Sequence, residues 1–431
     1  MPFAIYILGL ALFAQGTSEF MLSGLVPDIA SELNVSVSAA GALTSAFAAG
    51  MIVGAPLMAV LSLRWPRRRA LLVFLVAFML VHVVGAVTTT FSVLLLTRVL
   101  GALANAGFLA VGLAAATSMV APNAKGRATS ILLGGVTLAC VAGVPAGAVL
   151  GQAFGWRAAF WAVALISLPA VFAVLCSVPD AVQATGDPDQ ARPSARRELR
   201  ALRGPRLLVV LLLAALVNAA TFCTFTYLTP LVINVSGFSE RWVPVMLALF
   251  GLGSFAGVTI GGRLSDTRPM RVLIPGGIAL FAGWGLFTAT AGSSIATILL
   301  VFVQGTLSFA VGSTLIAQVL YAATQAPSLG GSFATAALNV GAATGSAIGG
   351  LTIAAGLGYR SPLWVSALLV AAALVTAGLA QVIPGLNGCR RPPRSSRGGR
   401  RLRPAASGDL VRVRRRGRSR SGCPVRHQGT D

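Results

Sequence analysis

The sequence predicts an all-α polytopic membrane protein of twelve helices, arranged as two six-helix bundles. Three observations carry this. Apolar runs of about 20 residues, the length that crosses the hydrocarbon core of a bilayer, recur along the chain. The 431 residues are 56% hydrophobic and only 10% charged. Only helices and closed barrels satisfy their backbone in lipid, and these runs are too long and too uniformly apolar for barrel strands. Second, basic residues gather in alternate connections. Third, identities recur between the two parts of the chain at one offset of 203 residues.

In chain order the spans are placed at 4–26, 40–62, 70–88, 91–117, 128–151, 157–178, 206–232, 243–264, 272–290, 295–320, 331–356 and 362–383. The first run has no basic segment before it and carries Glu19, so it reads as a retained helix and not a cleaved leader. Connections after even-numbered spans hold Arg64, Arg67, Arg68 and Arg69, then Lys125 and Arg127, then the arginines of 192–206, then Arg263, Arg268 and Arg271. The opposite connections hold Asp28 and Glu32 or almost no charge. The connection near Gln325, with no basic residue, is the exception. The positive-inside rule places both termini and the central connection on the cytoplasmic side of the cell membrane.

Residues 179–205 break the apolar pattern with Asp180, Asp187, Asp189, prolines and arginines, and read as a cytoplasmic linker. They separate a six-helix bundle at 1–178 from another at 206–384. The net charge of +22 overstates the basic character of the core, because residues 385–431 alone hold 14 arginines against two aspartates. That tail has no lysine and no hydrophobic period, so it is expected to be disordered and dispensable. No nucleic-acid partner is assigned to it. Cys140, Cys176 and Cys223 sit in apolar helices as small core residues. No ligand spacing links the five cysteines, so neither a metal nor another cofactor is expected.

The repeat is scattered over four regions. Leu25 and Pro27 match Leu228 and Pro230, and Gly50 and Gly54 match Gly253 and Gly257. Leu61, Ser62 and Pro66 match Leu264, Ser265 and Pro269, and Gly155, Arg157 and Trp161 match Gly358, Arg360 and Trp364. Parallel duplicated halves place a substrate path at their interface near the bilayer midplane.

Within the first span, Gln15, Glu19 and Ser23 fall four residues apart on one helix face. A charged side chain in lipid costs at least a few kcal/mol, so Glu19 is a functional candidate by default. It is the one acid in the spans that cannot easily reach an interface. Asp28, beyond Pro27 and near the outer interface, is the competing acid. The repeat equivalents of the stripe in the seventh span are Asn218, Phe222 and Thr226. With Phe225 and Tyr227 they offer polar and aromatic surface for a drug-sized ligand, although plain packing is the commoner use of such rings. In the fourth span Arg98 and Asn105 share a face, and a buried Arg must meet an acid or carbonyls. His82 reads as a core residue, and Gln304, Gln318 and Asn339 as further pocket candidates. Gly135, Ala139, Gly143, Gly147 and Gly151 repeat every four residues in the fifth span, which permits close helix packing. Pro145 interrupts its backbone ladder.

The stretch Gly16 to Ala30, the loop with Arg67, Arg68 and Arg69, and Gly143-Val-Pro-Ala-Gly147 together resemble the major facilitator superfamily, over residues 1 to about 384. Within it they resemble the twelve-helix drug:proton antiporters. The first span and Gly155-Trp-Arg-Ala-Ala-Phe-Trp161 look most like actinobacterial chloramphenicol-resistance exporters. The resemblance implies the major facilitator fold and proton-coupled efflux of a small amphipathic antibiotic, chloramphenicol foremost, by alternating access. It also implies a part for Arg98 in proton coupling, beside the acid Glu19 that the spans themselves single out, and a leak-tight bend at the helix 5 motif. One departure stands out. The family's aspartate and glycine positions in the loop after helix 2 are here Leu63 and Pro66, whereas Gly262-Arg-Leu-Ser-Asp266 keeps the pattern. Arg67, Arg68 and Arg69 either latch one conformation or simply set orientation.

Other functions fit less well. Export of a sugar or other metabolite would want more hydrogen-bonding side chains in the helices. A membrane-embedded enzyme would need a His/Asp or Ser/His cluster in the spans. Nothing matches the phosphate-cradling G-x-x-x-x-G-K-[ST] loop that ATP drive requires. The expected partners are a small-molecule drug, protons and the bilayer, with the chain acting as a monomer.

Overall fold

The computed structural model describes residues 2–62, 65–121, 124–177, 204–264, 269–323 and 330–382. Among these, twelve helices are long and apolar enough to span a membrane. In order, α1 is Phe3–Phe20, continued after Met21 as Leu22–Glu32, α2 is Val37–Ser62, α3 Arg67–Val87 and α4 Phe91–Ser118. Next, α5 runs Lys125–Leu138, passes through a π-helical segment Ala139–Gly143, and resumes as Val144–Phe154, and α6 is Trp156–Ser177. Then α7 is Pro205–Phe225 with a tail Leu228–Asn234, α8 Val243–Leu264 and α9 Met270–Thr290. Last come α10 Ser294–Ala322, α11 Gly330–Ala354 and α12 Ser361–Val382.

Glycine decides the closest approaches. A side chain at Gly50 would stand 2.8 Å from the Val99 carbonyl, and one at Gly54 3.1 Å from Ala106, so α2 lies directly on α4. At the matching positions, Gly253 faces the Phe302 carbonyl and Gly257 the Thr306 carbonyl, so α8 lies on α10 in the same way. The row in α5 faces α1 along its length. Gly135 meets the Gly9 carbonyl, Gly143 meets Thr17, Gly147 meets Met21 and Gly151 meets Leu25.

Proline shapes the two broken helices. Pro145 lacks an N–H, and the preceding turn of α5 widens into the π segment that adjusts the ladder. Pro27 sits inside α1 and not beyond it, so the helix runs on to Glu32 and Asp28 is helical and exposed. The proline leaves the Ser23 carbonyl without its intrahelical donor. Thr229 of the α7 tail supplies one instead, at 2.6 Å.

That bond is one of several ties between the first six helices and the last six, and they cluster at one end of the bundle. Ser45 of α2 donates to the Ala343 carbonyl of α11 at 3.0 Å. Gln152 at the end of α5 donates to the Glu240 carbonyl before α8 at 2.6 Å. Tyr227 fills a notch made by Gly41 of α2 and by Gly349 and Gly350 of α11, and its hydroxyl donates to the Ser346 carbonyl at 3.0 Å. Arg157 braces the same end, paired with Glu32, donating to the Thr88 carbonyl at 2.9 Å and lying over the Trp156 ring.

Candidate functional site

The middle of α1 gathers the polar groups that lipid would reject. Gln15 is fully buried, and neither end of its amide has a hydrogen-bond partner among the described residues. One turn later Glu19 is only partly buried and makes no hydrogen bond or ion pair among the described residues. Arg98 of α4 is close enough to act on it electrostatically. The guanidinium is held elsewhere, however. Its Nη1 donates to Ser18 Oγ and its Nη2 to the Ser18 carbonyl, each at 2.8 Å, and it lies 4.4 Å over the Phe47 ring.

Ser18 in turn reaches His82 of α3, Oγ to Nε2 at 2.6 Å, while His82 Nδ1 lies 2.7 Å from the Phe78 carbonyl. A carbonyl only accepts, so Nδ1 carries the proton and Nε2 accepts from Ser18. With a neutral imidazole the contacts run unbroken from the Phe78 carbonyl through His82 and Ser18 to Arg98, whose Nε alone of the three guanidinium nitrogens has no partner among the described residues. The sequence reading treated His82 as core, and it is buried, but it is tied into the Arg98 support.

Beside Glu19 in the chain, Phe20 points to the other six helices. It lies 5.9 Å from Phe222 and 6.5 Å from Phe225, ring centre to ring centre. Phe20, Cys140 from the π segment, Thr221, Phe222, Phe225, Phe250 and Phe309 line a narrow cavity of about 10 Å³, room for about one water. Cys140 is also within electrostatic reach of Glu19, so the acid and the cavity are neighbours. The cavity is smaller than the roughly 300–1,000 Å³ of drug-sized sites, so a drug would need the helices to part further.

The other sequence candidates are distributed unevenly. Phe222 lines the cavity. Ser23 donates to the Phe20 carbonyl at 2.8 Å, and Asn218 ties α7 to the Leu338 carbonyl at 2.6 Å. Asn105 turns to Met51 of α2, 3.6 Å from its sulfur, and does not join Gln15 and Glu19. Thr226 pairs with Ser346 at 2.9 Å, and Tyr227 closes the end of the bundle, so neither lines the cavity. Asp28 lies near Glu240 at that end, away from the Arg98 network. Arg67 donates to Ser118 at 2.6 Å, linking the start of α3 to the end of α4, beside Arg68 and Arg69. Asp266 lies outside the described residues. Ser18, Phe20, Cys140, Phe250 and Phe309 were not singled out from the sequence. Ser18 carries a usable signal, because a buried Arg and a buried His each need a partner.

Comparison with known proteins agrees with this architecture. The chain is 56% identical over 380 residues to a chloramphenicol resistance protein of Streptomyces lividans, covering 88% of this chain and 96% of that one. It is 34% identical over 374 residues to the inner membrane transport protein YdhP of Escherichia coli K12, covering 86% and 94%. Its fold matches a crystal structure of a bacterial homologue of the human lysosomal transporter Spinster, inward-facing and unoccupied. The TM-score is 0.70 at 16% identity, covering 87% of this chain and 95% of that one. The Major Facilitator Superfamily profile matches residues 8–336. The chain is a multi-pass membrane protein that belongs to the Major Facilitator Superfamily.

Proposed function

We propose that this protein exports a small amphipathic antibiotic, chloramphenicol foremost, across the cell membrane in exchange for protons. The observation that carries the reading is a cavity walled by five phenylalanines next to one unpaired acid in the membrane interior. Such a wall suits a neutral, partly aromatic cargo and offers little to a sugar, which needs many hydrogen bonds. The Streptomyces relative, a chloramphenicol resistance protein, supports the choice of cargo.

In this reading residues 1–178 and 206–384 are the two moving halves, joined by the linker 179–205, with both termini in the cytoplasm. The tied end of the bundle then faces outward, and drug is loaded from the cytoplasmic side. Glu19 carries the proton and Arg98 sets its field. The helix 5 row keeps α1 and α5 sealed along the path. The decisive experiment is uptake of labelled chloramphenicol into cells with and without a protonophore. Expression should lower accumulation, and the protonophore should restore it. Accumulation unchanged by expression would refute the reading.

A further inference from the structure

A second cavity lies beside the first, within the last six helices. Thr224, Phe225, Leu228, Phe250, Trp284, Phe287, Val301 and Gln304 line a cavity of about 10 Å³, room for about one water, between α7, α8, α9 and α10. The two cavities share Phe225 and Phe250, whose rings stack at 4.5 Å and form the wall between them. Drug-sized sites take roughly 300–1,000 Å³, so a ligand enters only when these rings and the helices behind them part.

The polar lining of this second cavity is incomplete in a specific way. Thr224 is satisfied, bonded to Ser366 at 2.8 Å and to the Pro362 carbonyl at 3.2 Å. Gln304 is fully buried and its Nε2 donates to the Leu280 carbonyl at 3.2 Å. That bond fixes the amide orientation, because a carbonyl cannot accept from Oε1. Gln304 Oε1 is therefore an acceptor with no donor among the described residues, packed against Gly283, where any side chain would collide with it. Trp284 is 1% exposed, and its Nε1–H is a donor with no acceptor among the described residues. Its indole stacks on Phe287, 7° from parallel, which fixes the ring. Burying unpaired polar groups is costly, so one orphan donor and one orphan acceptor on two residues that line the same small cavity are a mismatch that a ligand can relieve.

We propose that this cavity is a subsite for a neutral amide group of the cargo, whose carbonyl accepts from Trp284 Nε1 and whose N–H donates to Gln304 Oε1. The subsite rests on the drug-export reading and refines it: chloramphenicol carries one secondary amide, and no charged side chain lines the cavity. The aryl end of the drug would remain among Phe20, Phe222 and Phe309 in the first cavity. The Phe225 and Phe250 rings would part to let the amide pass.

The test is equilibrium binding of labelled chloramphenicol to the purified full chain, for the wild type, Trp284→Phe, Gln304→Met and the double variant. Trp284→Phe keeps the ring stacked on Phe287 while removing the donor. Each single change should weaken binding about tenfold, the worth of one well-made hydrogen bond. The double variant should fall well short of the product of the two losses, because one amide bridges both groups. Single variants that bind as the wild type does would overturn the proposal and leave the cavity to water. If the wild type binds no chloramphenicol, the drug reading fails, and the subsite is judged on thermal stabilisation by acetanilide against the size-matched ketone propiophenone. Preferential stabilisation by the amide, lost in Trp284→Phe, supports the subsite. Equal stabilisation by both probes overturns it.

Discussion

The α1–α5 contact yields a prediction whose size follows from the structure. A methyl group at Gly135 would overlap the Gly9 carbonyl and stand 3.0 Å from the Phe13 nitrogen. Both are backbone atoms of α1, so no side chain can turn aside to make room. At Gly134, one residue earlier, a methyl group meets nothing within 4 Å. Gly135→Ala and Gly134→Ala share the same helix-propensity gain, roughly 0.5–1 kcal/mol. The difference between them therefore isolates the overpacking, about 1–3 kcal/mol. Gly143→Ala and Gly147→Ala should fall between, since their obstacles are the Thr17 side chain and, at 3.3 Å, the Met21 Cβ. Denaturant titration of the purified variants in detergent measures the order, and export in cells shows whether the sealed contact matters for transport. If Gly135→Ala and Gly134→Ala are equally stable, the helices do not approach as closely as described and the packing argument fails.

The remaining predictions concern the acid, the bend in α1 and the tail. Glu19→Gln should reach the membrane and still bind drug, but drug binding should no longer release protons; if Glu19→Gln keeps that release and Asp28→Asn loses it, the coupling acid is Asp28. If a neutral drug is exchanged for protons, as proposed, the exchange moves charge, and export by the wild type should respond to membrane potential by about 2.3 kcal/mol per 100 mV for each proton. Thr229→Val should destabilise the tied end by about 1–3 kcal/mol, because it strands the Ser23 carbonyl. Adding Pro27→Ala, which restores an intrahelical donor, should recover part of that loss in denaturant titration, and no recovery would mean that the carbonyl was not the cause. A chain ending at Gly388 should insert and export like the full chain, judged by membrane levels and drug accumulation.

What the sequence made legible was the part encoded locally. Each span is visible in its own run of residues, and the row from Gly135 to Gly151 announces a close approach without a partner being known. The limits lay where one segment depends on a distant one. Pro27 looked like the end of a helix, yet α1 continues because Thr229, 206 residues away in sequence from Ser23, takes over the freed carbonyl. Tyr227 looked like pocket lining, but glycines on two other helices make a notch for it at the tied end. His82 and Ser18 are 64 residues apart, and neither position alone reveals the bond between them. The orphan atoms of Trp284 and Gln304 are invisible in sequence for a related reason: an unmet hydrogen bond is a property of surroundings, not of a residue.

The placement of Arg98 also bears on how a single acid can couple to a conformational change. Had Glu19 and Arg98 formed a tight buried ion pair, protonating the acid would strand a buried cation, and breaking such a pair typically costs about 3–5 kcal/mol. Here Ser18 satisfies two guanidinium nitrogens with its hydroxyl and its carbonyl, and the Phe47 ring covers the cation. Arg98 is thus supported whether or not Glu19 is charged. On the export reading, the proton then changes the field between α1 and α4 without breaking the hydrogen bonds that Arg98 makes to Ser18. Because Phe20 follows Glu19 directly on α1, any shift of that turn moves a wall of the drug cavity. On that reading the same short stretch of helix would answer to the proton through Glu19 and to the drug through Phe20.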